Sequence, residues 1–256
     1  MNRTPPKEVR EHLRKEVGFG CPILSCGNPY LEWHHFNPPW NIKEHHDPNG
    51  MIALCREHHF KADHGAFTKE QLIDFKRNNN ATIEGRFDWM RKDLLAIVGG
   101  MFFYNVDKII QIHSTPIIWF TRNSEGCALL NINMLTTSGE ERIKMVDNYW
   151  MTQGFPSDFI CPPSGKLIEA KYSNGDYLKV VFSDVNTEKD FMNKCPNARI
   201  KEYNVKLPIT AVEITNKIVG GNIQFEPDKM ILPNQTILTG FIANSAVGIQ
   251  IGDPNI

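Results

Sequence analysis

Seven of the nine histidines and three of the six cysteines fall between Cys21 and His64. Cysteine and histidine are the side chains that bind soft or borderline metal ions, so this crowding marks a site. Cys55-x-x-His58 sets a thiolate and an imidazole one helical turn apart, facing the same way. Cys21-x4-Cys26 adds two thiolates from a turn containing Pro, Ser and Gly. Together they make a tetrahedral Cys3His set of the kind that holds structural Zn2+.

His34, His35, His59, Asp63 and His64 remain after that set is filled. Phosphodiester hydrolysis needs a hard divalent ion and a base that deprotonates water. On a strand, His34 and His35 point to opposite sides, so one can bind metal while the other faces substrate. His59 and Asp63 are four apart, share a helix face and can chelate one ion. His64 competes with Asp63 for the last ligand position.

The elements that must position these residues are short. Pro5 to Val17 reads as a helix with Val9, Leu13 and Val17 on one face. Leu31 to Phe36 and Met51 to Leu54 read as strands, and Glu57 to Asp63 as a helix. Between the strands, residues 41–49 form a polar loop whose His45 and His46 read as loop or substrate-contact residues, with a metal role as the lesser alternative. Thr68 with Gln71 predicts a capped helix running to Arg77.

In this order the residues resemble an HNH endonuclease of the ββα-metal superfamily, in a zinc-stabilised bacterial form. The matching pieces are Cys-x4-Cys-Gly, Glu-x-His-His-Phe-x-Pro and Met-Ile-Ala-Leu-Cys-x-x-His-His, over about residues 18–75. The resemblance implies that His35 is the general base and that His34, His59 and Asp63 hold a catalytic Mg2+ or Mn2+. It implies that Cys21, Cys26, Cys55 and His58 hold structural zinc. Asn49 is the candidate for the middle Asn that orients the base. It lies six residues before Cys55, where the family pattern has five, and Gly50 occupies that place.

The chain carries 28 Lys and Arg against 29 Asp and Glu, a net charge of −1. That excludes a polybasic nucleic-acid binder. Attraction for phosphate must come from a local patch and bound metal, and Arg14, Lys15, Lys43, Arg56 and Lys61 are the nearest cations. No apolar run is long enough to span a membrane. The start, Met1-Asn-Arg-Thr-Pro-Pro, lacks a signal-peptide core, and cytoplasm is the expected compartment.

Asn78 to Asn80 reads as a linker, and Ile83 to Ile97 as a helix with Phe87, Met90, Leu94 and Leu95 on one stripe. Beyond Gly99-Gly100 the chain turns β-prone. Leu167–Tyr172 and Tyr177–Phe182 flank Ser-Asn174-Gly175-Asp, a hairpin signal. Cys127, Cys161, Cys195 and His113 lack metal spacing. The expected fold is therefore α+β. A nuclease domain over 1–80 and a connecting helix over 81–98 precede a sandwich-like β domain over 99–256 that serves recognition, regulation or homo-oligomerisation. The expected activity is metal-dependent cleavage of nucleic acid, double-stranded DNA first, in restriction or anti-phage defence. The alternative is a zinc-stabilised nucleic-acid-binding module without catalysis.

Overall fold

The computed structural model describes residues 2–77, 83–196, 202–232 and 235–252. The chain is mixed α+β and mostly strands, with four α-helices among the described residues. It divides into two compact units. The first joins Met1–Gly85 to Pro156–Gly165, and the second joins Arg86–Phe155 to Lys166–Ile256.

In the first unit, α1 (Lys7–Glu16) follows Pro6 and buries Leu13, with Val17 beyond its end. The strands β1 (Leu31–His35) and β2 (Met51–Cys55) pair antiparallel, from Leu31 opposite Cys55 to His35 opposite Met51. Every residue of β2 is buried, so β2 is the floor of the unit. Next come α2 (Arg56–Asp63) and α3 (Lys69–Arg77). The expected cap of α3 is present: the Gln71 amide donates to Thr68 Oγ1 at 3.2 Å, and the Thr68 amide donates to Gln71 Oε1 at 2.8 Å. Leu13, Val17, Leu31, Met51, Ile52, Leu54 and Leu72 share one core.

The Asn78–Asn80 linker lies outside the described residues. The helix expected over Ile83–Ile97 does not form. In its place are β3 (Glu84–Arg86), an irregular stretch, and β4 (Leu94–Val98). Leu-Leu-Ala-Ile-Val is a short run apolar at every position, which suits a strand covered on both faces as well as it suits a helix stripe. β4 is such a strand, pairing parallel with a neighbour from Leu94 opposite Thr210 to Val98 opposite Ile214.

The second unit continues with β5 (Met101–Ile112), β6 (Thr115–Arg122), β7 (Ala128–Leu135), β8 (Glu141–Val146) and β9 (Tyr149–Thr152). The strand β10 (Asp158–Ile160) lies in the segment that belongs to the first unit. Then follow β11 (Leu167–Lys171), β12 (Tyr177–Val185), α4 (Glu188–Lys194), β13 (Ile209–Lys217), the short β14 (Gln224–Phe225), β15 (Met230–Ile231) and β16 (Ile237–Leu238), and finally β17 (Gly240–Ile251). The expected hairpin at Asn174-Gly175 joins β11 to β12.

Hydrogen bonding links these strands into one large sheet, β11-β12-β13-β4-β5-β6-β7-β8-β9, rather than the two separate sheets of a sandwich. β17 runs parallel to β5 along its whole length, so β4 and β6 share the other edge. β4 takes Met101–Tyr104 and β6 takes Lys108–Ile112. At the change-over Asn105 and Asn244 both adopt positive φ (52° and 54°), and Asn105 Nδ2 donates to Asn244 Oδ1 at 2.9 Å. Asparagine is among the few side chains that tolerate that conformation. α4 seats Phe191 against Leu95, Ile97, Tyr104 and Ala211. Among the described residues no helix is long and apolar enough to cross a membrane.

Candidate metal centre and cleft

Four ligands converge where β2 becomes α2. Cys55 ends the strand in an extended conformation (φ −68°, ψ 162°), and His58 follows in the first helical turn. Cys21 and Cys26 come from a tight turn in which the Cys26 amide donates to Ile23 O and the Gly27 amide to Cys21 O. Cys21 Sγ lies 3.4 Å from His58 Nδ1, Cys55 Sγ 3.2 Å from the same nitrogen, and Cys26 Sγ 3.7 Å from Cys55 Sγ. A tetrahedral zinc with Zn–S of about 2.3 Å and Zn–N of about 2.0–2.1 Å has ligand–ligand edges of roughly 3.5–3.8 Å. The four residues thus can hold a metal ion such as zinc.

The thiols are unequal. Cys55 is held down to about 5, chiefly by the hydrogen bond from Cys21, with burial opposing. The same bond, with burial, pushes Cys21 up, and burial raises Cys26. One thiolate is favoured without an ion, and a cation would stabilise the others.

A second cluster joins β1 to α2. His34 Nδ1 lies 3.1 Å from Asp63 Oδ1, and His59 Nε2 lies 3.6 Å from Asp63 Oδ2. The two rings stand 5.4 Å apart at 70°. Both nitrogens are buried without a hydrogen bond among the described residues, although each faces the same carboxylate. Two imidazole nitrogens gathered on one carboxylate make a donor set that fits a metal ion. These three residues can therefore hold an ion. Burial lowers His34, and Asp63 pulls it the other way, so the imidazole is available as a ligand. His64 is excluded from the cluster: it is exposed and its Nδ1 hydrogen-bonds Phe60 O at 2.8 Å. Of the two alternatives, Asp63 is the one that lies beside His34 and His59.

Glu32, the Glu of the Glu-x-His-His stretch, stands behind this cluster. Its Oε2 accepts from His59 Nδ1 at 2.7 Å. That bond fixes the tautomer of His59 and turns Nε2 toward Asp63, as carboxylates commonly do behind metal-bound histidines. The signal was its place two residues before His34, on the same strand face.

His35 is 3% exposed, and neither ring nitrogen has a hydrogen bond among the described residues. Its ring is walled by Trp40 at 4.7 Å and by His45 at 5.2 Å and 89°. Burial, then the neighbouring His45, lowers it to about 4. His35 and His34 border one cleft of about 480 Å3, together with Arg3, Trp40, Asp63 and Lys69. Arg3 and Lys69 were not foreseen as its cations. Of the expected ones, Arg14 is buried against Asp158 and Lys61 pairs with Glu57.

Asn49 does not join the site. It is exposed on the one-turn 3-10 helix Pro48–Gly50, where its side-chain amide donates to Asp47 Oδ1 at 3.1 Å. Gly50, one step on, has no room for a side chain: a Cβ would collide with the Asn37 carbonyl and lie 2.8 Å from His45 Cε1. The loop instead anchors through His45, whose Nε2 lies 2.9 Å from Pro38 O and whose Nδ1 accepts from the Asp47 amide at 3.1 Å.

No protein-family profile, curated protein or solved structure matches this chain.

Proposed function

We propose that the chain is a metal-dependent endonuclease of the HNH kind, acting on DNA. One observation carries the reading: a buried, neutral His35 lines one cleft with His34 and Asp63, which together with His59 form a cluster able to hold an ion. The Cys3His cluster beside it would hold structural zinc and fix the turn of α2 on which His59 and Asp63 stand.

His34, His59 and Asp63 would hold the catalytic ion, Mg2+ or Mn2+. Bound there, such an ion stabilises the charge that develops on the phosphate and the leaving oxygen. Glu32 keeps His59 in the ligating tautomer. His35, neutral at pH 7, accepts a proton from the attacking water on a ring nitrogen. Arg3 and Lys69 supply positive charge at the cleft and orient an anionic backbone. Restriction or defence against foreign DNA, in the cytoplasm, is the setting we attach to this activity, with the second unit sensing the target or the trigger.

A second reading, a zinc-stabilised binding module without catalysis, draws on the position of Asn49, turned out to solvent. Cleavage of supercoiled plasmid by the full chain with Mg2+ or Mn2+, beside His35→Ala, separates the two. Nicking that disappears in the variant supports the enzyme. DNA binding without nicking, at any metal supplied, supports the module.

A further inference from the structure

His34, His35 and Trp40 line the cleft, and the imidazoles on and behind this wall hold more unpartnered nitrogen than one ion explains. His34 Nδ1 and His59 Nε2 face Asp63, but both nitrogens of His35 and Nδ1 of His46 are also buried without a hydrogen bond among the described residues. Buried polar atoms are nearly always partnered, and a group of orphans signals water or an ion. His45 cannot serve, because both its nitrogens are engaged. Trp40 packs on both remaining rings, 4.7 Å from His35 and stacked 5.5 Å from His46, and so holds them in place.

The His35 and His46 ring centres are 5.9 Å apart. Those of His34 and His59 are 5.4 Å apart. Two imidazoles sharing a tetrahedral ion at about 2.0–2.1 Å have ring centres on the order of 5 Å apart. The first pair lies slightly beyond that spacing. No carboxylate belongs to it. Imidazole alone suits Zn2+, Ni2+ or Cu2+ and disfavours Mg2+.

We propose that His35 and His46 form a second metal site, selective for transition-metal ions such as Zn2+, whose occupancy switches the enzyme off. The binding stands on the two rings. The inhibitory effect rests on the endonuclease reading, since an ion on His35 occupies the lone pair that would take the proton from water.

The test uses the full chain with its Cys3His ion in place. Zn2+ bound after equilibrium dialysis is counted by elemental analysis in wild type, His46→Ala and His46→Gln. Each variant is expected to bind one ion fewer than wild type. In wild type, the His35 and His46 imidazole NMR resonances should shift together as Zn2+ is added, a readout that needs no variant. Plasmid nicking in Mg2+ should be inhibited by Zn2+ in wild type. Each variant, compared with its own zinc-free rate, should need at least tenfold more. Equal ion counts in wild type and both variants, or resonances that do not move together, would overturn the site. If no form nicks DNA yet the count falls by one in the variants, the site stands and the endonuclease reading fails. If DNA is nicked and the count is unchanged, the reverse holds.

Discussion

Arg14 and Asp158, 144 positions apart, form a buried ion pair inside the first unit. Arg14 Nη2 lies 3.0 Å from Oδ1 and 3.3 Å from Oδ2 of the carboxylate, and Nε lies 3.3 Å from Oδ1. Only 10% and 8% of the two side chains is exposed. Removing one partner leaves a buried charge without compensation, which costs about 3–5 kcal/mol. Asp158→Ala should lower the denaturation midpoint of the first unit accordingly. A change below about 1 kcal/mol would show that the pair contributes little.

Elemental analysis should find one tightly held zinc per chain, retained through mild chelation. Cys55→Ser should lose it, because Cys55 carries the thiolate that is easiest to form and sits at the junction of β2 and α2. Metal ligation and folding are coupled in such sites, so the variant should also lose ordered structure in the first unit. Its readout is the amide spectrum of residues 21–64.

His35→Ala should reduce plasmid nicking by about 10²–10⁴-fold, the range for loss of a general base, with the melting temperature little changed. The pH profile is informative. The imidazole sits at about 4 rather than the ordinary 6.5. Its neutral, proton-accepting form therefore persists well below pH 6, and the acid limb assigned to it should fall nearer pH 4. A limb at 6.5 that vanishes in His35→Ala would contradict the buried geometry.

In the second unit, Asp176 is 1% exposed and sits 3.1 Å from Arg142 Nε. Burial pushes the carboxyl up, but the Val219 amide, Asn174 and Arg142 together hold it below its ordinary 3.8. Its folded form thus releases the proton more readily than its unfolded form. The stabilisation is present above pH 3.8 and is lost as pH falls through the lower folded value. Acid unfolding of wild type should steepen in that window, and Asp176→Asn should flatten it while lowering stability at neutral pH.

Residue spacing pointed to Cys55 with His58 and to His59 with Asp63, because Cys-x-x-His and His-x3-Asp place their side chains on one helical face whatever surrounds them, whereas His34 was added by the family resemblance. The Thr68 cap and the Asn174-Gly175 hairpin were legible for the same reason: each is a local geometry with a chemical cause. Sequence reasoning failed where the deciding partner was remote. Leu94–Val98 became a strand because β13 offered it a parallel edge from Thr210 to Ile214. Arg14 counted among five candidate cations for phosphate because nothing near it in sequence announces Asp158. Asn49 was assigned by a pattern, and the packing of Gly50 against Asn37 and His45 moved the loop's anchor elsewhere.

The division of the first unit between Met1–Gly85 and Pro156–Gly165 has a consequence for biosynthesis. A ribosome delivers Cys21 to His64 long before it delivers Asp158, so a nascent chain can gather its metal ligands while Arg14 still lacks its counter-ion. The unit closes only after β4 to β9 have emerged. A unit translated this way stays incomplete through the first part of its own synthesis, and a chain truncated before residue 156 would never finish it.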